Sequence, residues 1–378
     1  MEHSVKIVIG ANYGDEGKGL MSRYFTKQFV NSGKKPVTVF HNGSAQRGHT
    51  ADYEDGSRHV FHNFCAGAMD GGVTYYDRTF MVHPMDFCRE VRGLGELPTV
   101  WCNPECVVVT PADMLTDHII EDHIAAKCGM REYGSCGYGT WSTTDRMRDR
   151  PDLTYTISQM AKGDYWKIVS SLKEWAESRL KTFGVDLDIV PEWKKFFDPK
   201  NNSWELLWSH FKWDLDNFLR CVRFMDFGTV WREHDSIIFE GAQGLLLDKD
   251  RDDIWTTTSN TGLKNPRELL DRYSDFRAEV CYVSRSYVTR HGDGPLKNEV
   301  DAKEIGENLF DKTNVFNSFQ GGLRYAMISK PDVAMAICQD FQIAESNYEM
   351  TVAYTHCNEH DINGGDYRSY SKTEVTKT

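Results

Sequence analysis

A short apolar strand that runs directly into a glycine-rich loop is the feature that most constrains this chain. The segment Val5–Ile9 is apolar and β-branched, the loop after it carries Gly14, Gly17 and Gly19, and a helix-like segment begins near Leu20. Glycines let a loop curl so that its backbone N–H groups point at an anion, and the following helix start adds partial positive charge. The unit therefore predicts an α/β fold with a phosphate-binding loop at one strand end.

Two charged side chains indicate the chemistry of this loop. Lys18 is placed to meet a phosphate as a point charge, and Asp15 can hold a metal ion or take a proton. A Walker A loop needs a glycine five residues before Gly17 and Ser or Thr after Lys18, but Asn12 and Gly19 stand there. The sequence thus disfavours an ordinary P-loop kinase or GTPase.

Further apolar runs predict a large, mostly parallel central sheet with flanking helices. They lack strict alternation, as strands covered on both faces do. Between about 150 and 235, apolar residues recur at three- and four-residue steps, which predicts two amphipathic helices, the second capped by Ser203. We expect one α/β domain over 1–363 with a helical insertion at about 150–235, and a polar tail over 364–378. The predicted strands are Val5–Ile9, Pro36–Phe40, Val107–Val109, Ser236–Phe239, Ala278–Val288, Val333–Cys338 and Met350–Tyr354.

The charge balance and the cysteines narrow the class of protein. Asp and Glu outnumber Lys and Arg by 56 to 44, and this balance argues against a general nucleic-acid or anionic-membrane surface. No apolar run reaches the roughly eighteen residues of a transmembrane helix, and the first residues lack the apolar region of a secretory signal. Ten scattered cysteines are sparse for a disulfide scaffold. We expect a cytoplasmic protein with no nucleic-acid or membrane partner.

Several sequence blocks together resemble the adenylosuccinate synthetase family. The loop Gly14–Gly19 is similar to the family's Gly-Asp-Glu-Gly-Lys-Gly signature, and Thr289–Pro295 resembles its Thr-Arg-Val-Gly-x-Gly-Pro block. The remaining blocks, in family order, are Gly48-His49-Thr50, Phe239–Gly244, Thr257–Thr261 and Ser329–Asp332. The blocks are spread from residue 5 to about 335, and the probability that all of them agree by chance is very small. The resemblance implies the family's fold and a ligase activity.

The resemblance also implies a chemistry for the loop. In this family the amine of L-aspartate replaces the 6-oxo group of a purine nucleotide, after a nucleoside triphosphate with Mg²⁺ has phosphorylated that oxygen. By resemblance, Asp15 is the base that removes the N1 proton and is also a Mg²⁺ ligand, while His49 is the general acid. Lys18 and the loop amides hold the transferring phosphate, and the Gly48 carbonyl is a further metal ligand.

Binding residues are carried over in the same way. GTP is the expected donor because the Asp332 carboxylate can accept from N1–H and the 2-amino group of guanine, whereas adenine offers no such pair; ATP is the alternative. Arg324 is expected to pair with the carboxylate of L-aspartate, and a surface ion pair is its alternative. The nucleotide-binding set is Gly14, Glu16, Gly17, Gly19, Gln46, Ser135, Cys136, Gln243, Thr257, Arg290, Lys330 and Asp332. The aspartate-binding set is Asn317, Gln320, Gly321 and Arg324.

Departures from the family pattern lie around the nucleotide and the aspartate. Gln46-Arg47-Gly48 stands where Asn-Ala-Gly is usual, Cys136 replaces a phosphate-contacting Thr, and the arginine-rich aspartate loop is reduced to Arg324. Members of a related bacteriophage branch often replace the loop aspartate, so the retained Asp15 favours IMP as substrate or an intermediate type of enzyme. The altered pocket and short chain favour dGMP, which that bacteriophage branch converts to 2-amino-deoxyadenylosuccinate. Another Mg²⁺-dependent phosphotransferase or NTPase, and a non-catalytic nucleotide-binding protein, are the competing hypotheses.

A homodimer with a shared active site is also expected from the resemblance. Family members complete the substrate-phosphate site with an arginine from the neighbouring subunit. Arg146, Arg148 and Arg150 follow the Gly134–Gly139 segment at a comparable distance, and their steps of two predict a loop or an extended segment. The alternative is that they pair with nearby aspartates on a solvated surface.

Overall fold

A parallel eight-stranded sheet forms the centre of the computed structural model, which describes residues 2–129, 137–251, 255–306, 309, 311, 313–314, 321–357 and 359–360. Its strands are β1 (His3–Gly10), β2 (Val37–Phe40), β5 (Val73–Tyr76), β6 (Val100–Cys102), β7 (Arg223–Phe224), β8 (Ser236–Gly244), β9 (Phe276–Arg285) and β13 (Tyr348–Thr355), in the spatial order β13-β9-β1-β8-β2-β5-β6-β7. Two small antiparallel sheets are formed by β3 (His49–Asp52) with β4 (Arg58–Phe61), and by β10 (Val288–Arg290), β12 (Arg324–Ala326) and β11 (Glu299–Val300). The predicted mostly parallel sheet is confirmed.

Helices cover both faces of this sheet. They are α1 (Lys18–Asn31), α2 (Pro84–Leu94), α3 (Pro111–Cys128), α4 (Thr140–Asp149), α5 (Ile157–Lys162), α6 (Tyr165–Thr182), α7 (Ser203–Cys221), α8 (Phe227–Glu233), α9 (Lys264–Leu270), α10 (Ala302–Ile305) and α11 (Lys330–Phe341), with short 3₁₀ turns at Ala68–Asp70, Pro151–Leu153, Pro191–Phe196 and Leu245–Leu247. In the described part of the chain, no helix is long and apolar enough to cross a membrane.

Strand β1 is apolar on both faces only at its carboxyl-terminal end. Val5 and Ile7 pack on one face, in a buried cluster with α8, α9 and α11, while Val8 points to the opposite face and packs against Met21 and Phe25 of α1. Successive side chains of a strand alternate between faces, so burial on both sides makes Ile7–Ile9 a continuous apolar run. Lys6, on the same face as Val8, is half-buried and pairs with Glu279 at 2.6 Å, so that face becomes apolar only toward the loop.

The region between the central strands and β7 is helical, as its spacing predicts. The Trp-rich face of α7 is buried, with Trp204, Trp208, Phe211, Leu215 and Phe218 each about 1% exposed or less. It packs against α2 and α3 in one large cluster with α6. The helix begins at Ser203 with Asn202 as its N-cap, one residue earlier than predicted.

Two predicted strands are wrong. Val333–Cys338 lies inside α11, where Val333, Ala336 and Ile337 form one buried helical face, and Pro331 and Asp332 in the first turn favour a helix start. Val107–Val109 makes only isolated bridges, Val82 to Val108 and Val107 to Thr156. A three-residue apolar run is too short to separate a bridge from a strand by pattern alone.

Candidate active site

The loops after β1 and β2 and the end of β8 meet at one edge of the central sheet. Strand β8 lies between the other two, and Glu240 is in register with Val8 of β1 and with Phe40 of β2. Because the carboxyl ends of neighbouring parallel strands face the same side, this edge is where an α/β sheet places its ligands. The predicted residues of Gly14–Gly19, His49 and Gln243 are therefore gathered in one place.

The loop after β1 is built around the buried carboxylate of Glu16. Its Oε1 accepts from the backbone N–H of Asn12 at 3.0 Å and of Gly14 at 2.8 Å, and its Oε2 pairs with Lys18 Nζ at 2.6 Å. A Cβ atom on Gly10 would overlap this carboxylate, so the strand end needs glycine there. Glu16 therefore holds the loop from inside, and it neutralises the Lys18 ammonium within the protein.

Asp15 sits at the outer side of the same loop. Its backbone has φ +61°, a left-handed conformation that Asp and Asn tolerate better than most residues. Arg285 Nε donates to the Asp15 carbonyl at 2.6 Å, which fixes the loop from β9. The carboxylate is 27% exposed, and His291 Nε2 lies 3.4 Å from its Oδ2. Unlike Glu16, Asp15 thus offers its carboxylate to the open side of the site.

His49 is held by a second buried carboxylate. Its Nδ1 lies 2.6 Å from Oε1 of Glu240, whose other oxygen accepts from the Ala66 N–H at 3.2 Å. Burial lowers the pKa of His49, and the Glu240 carboxylate opposes that shift. Burial on its own raises the pKa of Glu240, but the neighbouring His49 and Arg47 hold it below its ordinary value. With Nδ1 occupied, Nε2 is the ring nitrogen left for a substrate.

The first turn of α1 is packed directly against His49. A Cβ atom on Gly19 would lie 2.7 Å from the His49 Cβ, closer than real Cβ atoms approach, so glycine is required at this contact. The positive ammonium of Lys18 is near enough to add to the lowering of the His49 pKa. The loop that carries Asp15 and the strand that carries His49 therefore form one site.

The unusual Arg47 is a buried part of the scaffold. Its guanidinium lies 3.8 Å from the centre of the Phe40 ring and donates to the carbonyls of Glu240 at 3.1 Å and of Asn42 at 2.5 Å. Burial lowers the pKa of Arg47 to about 10. This departure from the family pattern therefore ties β2 to β8 beneath the site.

Two glutamines line the edge beside Arg47. Gln46 Oε1 accepts from the Ser44 N–H at 2.6 Å and from Thr140 Oγ1 at 3.3 Å, which brings the start of α4 to this edge. Gln243, with φ +64°, accepts from Ser259 Oγ at 3.4 Å. These contacts use the oxygen of each amide, so their N–H groups are the candidates to contact a nucleotide.

The segment with Thr257 lies next to α4. The Thr257 N–H donates to the Leu247 carbonyl at 2.7 Å, and Thr258 Oγ1 lies 3.1 Å from Thr144 Oγ1 of α4. The Thr257 side chain is half-buried. The backbone contact is the loop-stabilising role that a turn residue has in any case, and the hydroxyl remains a candidate phosphate contact.

The small sheet of β10, β11 and β12 carries two further predicted arginines. Arg290 stacks on the ring of Tyr13 at 4.5 Å and donates to the Pro295 carbonyl at 2.7 Å. Arg324 donates through Nε and Nη2 to both oxygens of Glu299, at 2.8 and 2.5 Å. For Arg324 the structure therefore contains the ion pair that was the alternative to a substrate contact.

Lys330 and Asp332 occupy the first turn of α11. Asp332 Oδ2 pairs with Lys297 Nζ at 2.6 Å, and this hydrogen bond holds the pKa of Asp332 below its ordinary value. Gly321, with φ +71°, precedes β12. Ser135, Cys136, Asn317 and Gln320 lie outside the described residues.

Of the three arginines proposed as candidates to cross a dimer interface, Arg146 is excluded by its burial. Arg146 is fully buried and donates through Nε and Nη2 to both oxygens of Asp113, at 2.9 and 2.8 Å. The segment is the helix α4 and not the predicted loop, and its 3.6-residue period turns Arg146 inward while Arg148 is 66% exposed. Arg148 and Arg150 pair with neighbouring aspartates.

Sequence reasoning missed three residues of this site. Glu240 stands inside the block Phe239–Gly244, but only the register of β8 brings it to His49. Arg285 lies outside all of the sequence blocks that resemble the family. His291 takes the place of valine in the Thr-Arg-Val-Gly-x-Gly-Pro pattern, so it was open to detection as a departure.

The donor set at Asp15 suits a magnesium ion. Within the described ranges no group of three or more His, Cys, Asp or Glu side chains could hold a metal. Mg²⁺ in nucleotide enzymes needs only one or two carboxylates, because substrate phosphates and water complete its shell. A partly exposed carboxylate at Asp15 and the exposed residue Gly48, with its carbonyl, meet that need.

The chain is similar in sequence to a known protein family. The adenylosuccinate synthetase family model matches residues 7–324. The adenylosuccinate synthetase of Petrotoga mobilis is 25% identical, in a match that covers 97% of this chain and 92% of the relative. That of Aquifex aeolicus is 27% identical, with 83% of this chain and 68% of the relative covered.

Solved structures share the fold. A fully ligated adenylosuccinate synthetase from Plasmodium falciparum matches with a TM-score of 0.68 and 17% identity, over 94% of this chain and 77% of that one. The succinoaminodeoxyadenylate synthetase of cyanophage S-2L, bound to dGMP and to dATP as an energy donor, matches with a TM-score of 0.59 and 15% identity, over 95% and 86%.

Proposed function

Because the chain belongs to the adenylosuccinate synthetase family of ligases, we propose that it joins L-aspartate to C6 of a 6-oxopurine nucleotide, IMP or dGMP, with GTP as phosphate donor. The observation that supports this most strongly is the packing of Gly19 against His49. It brings a carboxylate base at Asp15 and an imidazole acid at His49 to one edge of the sheet. Binding a nucleotide alone would need neither group.

The first step activates the oxygen at C6. Asp15 accepts the N1 proton, and negative charge develops on O6. The O6 oxyanion then attacks the γ-phosphorus of the triphosphate. The bond between the γ-phosphorus and the β-phosphate oxygen breaks, and the nucleoside diphosphate leaves. His49, held through Nδ1 by Glu240, directs its Nε2 to O6 and stabilises the charge there. Lys18 keeps one of its three N–H donors on Glu16 and offers the others to the transferring group, together with the loop amides other than those of Asn12 and Gly14.

Asp15 and the Gly48 carbonyl are the residues that would hold Mg²⁺ beside the phosphates. When bound, the ion neutralises negative charge on the phosphate oxygens. The chain's own contribution is to fix the two ligands: Arg285 holds the Asp15 backbone from β9, and the His49 ring holds the strand that follows Gly48.

The second step forms the C–N bond. The amine of L-aspartate attacks C6, the C6–O6 bond breaks, inorganic phosphate leaves, and the amine loses a proton. Arg324 binds a carboxylate of L-aspartate after exchanging its present partner, Glu299. Phosphorylation must come first because an oxo group is a poor leaving group and a phosphate is a good one.

One assay tests the activity and the substrate together. The protein is offered IMP or dGMP with GTP or ATP and Mg²⁺, with and without L-aspartate, and the products are followed by absorbance and mass. We expect a succino-nucleotide only when L-aspartate is present. Triphosphate turnover that does not depend on L-aspartate would indicate another phosphotransferase or NTPase.

We also propose a homodimer that shares its active site. Arg148 and Arg150 remain the candidates to reach the neighbour's substrate phosphate, because both side chains are exposed. Arg150 pairs with the exposed Asp152, whereas Arg148 pairs with the exposed Asp149 and with the buried Asp145. Sedimentation gives the assembly state. Mixing a His49 variant with an Arg148 or Arg150 variant should restore partial activity, since one site of the mixed dimer regains both residues. A fully active monomer would exclude the shared site.

A further inference from the structure

A histidine lies beside the proposed base where the family pattern has valine. His291 follows Arg290 at the end of β10, and its Nε2 is 3.4 Å from Oδ2 of Asp15. The imidazole is 19% exposed, so water reaches this contact only in part. Valine at this place could pack against the loop but could not donate a hydrogen bond to a carboxylate.

The two ring nitrogens of His291 have different surroundings. Nε2 meets Asp15, whereas Nδ1 is buried and has no hydrogen-bond partner among the described residues. The backbone of Asp15 is fixed separately, by Arg285 Nε at its carbonyl. Of these two contacts, only the one to His291 acts on the carboxylate itself, which can otherwise rotate about its own side-chain bonds.

We propose that His291 is a positioning residue for Asp15: its Nε2, which lies at ion-pair distance of 3.4 Å from Oδ2, donates an N–H to that oxygen when the nucleotide is bound. This contact holds one carboxylate oxygen, so that the other is turned toward the N1–H of the nucleotide. A base held within a few tenths of an ångström of its proton reacts faster than one that samples several rotamers. The inference rests on the proposed function, because it assigns Asp15 the role of base.

Three substitutions separate the two nitrogens. His291→Gln places an amide N–H near the position of Nε2, His291→Asn places one near Nδ1, and His291→Val restores the family residue with neither. His59 of β4 provides a control, because its Nε2 lies 3.3 Å from Glu90 Oε1 and its side chain is 25% exposed, close to the 19% of His291, although the Glu90 carboxylate is buried. His59→Gln, His59→Asn and His59→Val test whether any histidine–carboxylate pair has the same effect.

Steady-state kinetics at saturating L-aspartate and donor give kcat and the nucleotide KM of each variant, and thermal unfolding shows that each is folded. We expect His291→Val and His291→Asn to lower kcat roughly 10- to 100-fold, the value of a hydrogen bond to a charged group, with KM within about twofold. His291→Gln should retain kcat within about threefold, and the His59 variants should match the parent.

Each other result overturns the assignment in a distinct way. If Asn restores kcat and Gln does not, the nitrogen that matters is Nδ1, and it contacts a ligand. A changed KM with an unchanged kcat makes His291 a recognition residue, and a full kcat in the valine variant removes it from the reaction. Failure of the parent protein to form an aspartate adduct rejects the proposed function itself, before any variant is compared.

Discussion

The proposed catalytic edge and the outer sheet use ion pairs in opposite ways. At the proposed catalytic edge (Asp15, Glu16, Lys18, His49 and Glu240) the pairs Lys18–Glu16 and His49–Glu240 join side chains that are at most 6% exposed. In the outer sheet (β10–β12 with the first turn of α11), Arg324–Glu299 and Lys297–Asp332 join side chains that are 29% to 69% exposed.

This difference decides what each pair can do. Removing one partner of a buried pair costs about 3–5 kcal/mol, because an uncompensated charge stays in the protein. An exposed pair is worth about 0–1 kcal/mol. A substrate carboxylate or a guanine can therefore displace an outer partner at little cost, but no substrate displaces Glu240 from His49. In the proposed reaction, the buried pairs would therefore fix the geometry of the reacting groups, and the exposed pairs would be free to exchange for a substrate.

The largest expected effect is at Asp15. Asp15→Asn preserves the shape of the side chain and tolerates the same left-handed backbone, but it removes the proposed base and the proposed anionic metal ligand. We expect turnover to fall at least about 100-fold, as for loss of a general base, with the unfolding midpoint little changed. The measurement is kcat at saturating nucleotide, donor and L-aspartate. Turnover near that of the parent would remove Asp15 from the mechanism.

The next effect concerns Glu240 and the pH profile. Burial lowers the pKa of His49 and Glu240 opposes it, so Glu240→Gln leaves burial and the nearby cations unopposed and lowers that pKa further. A general acid must be protonated to act. At a pH above the pKa, each unit by which the pKa falls lowers the protonated fraction about tenfold. The alkaline limb of kcat against pH should therefore move to lower pH, with a loss of about tenfold or more above neutrality.

His49→Asn is the companion variant for this profile. It should depress turnover more than nucleotide binding, and its kcat should no longer show the limb that Glu240→Gln displaces. If the limb keeps its position in Glu240→Gln, the imidazole does not act as the acid. If nucleotide binding falls while kcat at saturation does not, His49 serves recognition instead.

A smaller effect is expected for the donor. Asp332→Asn keeps an acceptor oxygen but loses the charge that favours the paired N–H donors of guanine, so kcat/KM for GTP should fall about tenfold while that for ATP changes little. Lys297→Gln is the matched control, since it breaks the same exposed pair and leaves the carboxylate. Equal or better use of ATP by the parent protein would defeat the assignment.

Sequence reasoning predicted which residues meet at the proposed catalytic edge because local motifs encode them. The strand, the glycine-rich loop and the helix follow one another directly in the chain. The segment Gly14–Gly19 was therefore enough to predict both the α/β fold and the position of Asp15 in the loop. The contact between His49 and Glu240 spans 191 residues and depends on strand order, which no local pattern contains. The motif Phe239–Gly244 therefore contains Glu240, but the sequence does not predict its contact with His49.

Other misses have equally physical reasons. The segment Val333–Cys338 is apolar and short, and strand and helix give it the same pattern until the caps at Pro331 and Asp332 are weighed. Arg146 lies inside a helix, whereas the two-residue spacing of the arginines favoured an extended segment. The partners of Arg324 and Asp332 are surface pairs of low energy, which sequence does not specify.

The smallest expected effect lies in one of those surface pairs. Glu299 holds Arg324 in a two-point contact, and an incoming L-aspartate must compete with it for the guanidinium. Because an exposed pair is worth about 1 kcal/mol at most, Glu299→Gln should lower the KM for L-aspartate by up to about fivefold, with kcat unchanged. Arg324→Gln should raise the same KM, and the double variant should behave like Arg324→Gln because there is no guanidinium left to release. If all three variants leave the KM for L-aspartate unchanged, Arg324 is only a surface ion pair, and aspartate is selected elsewhere in the chain.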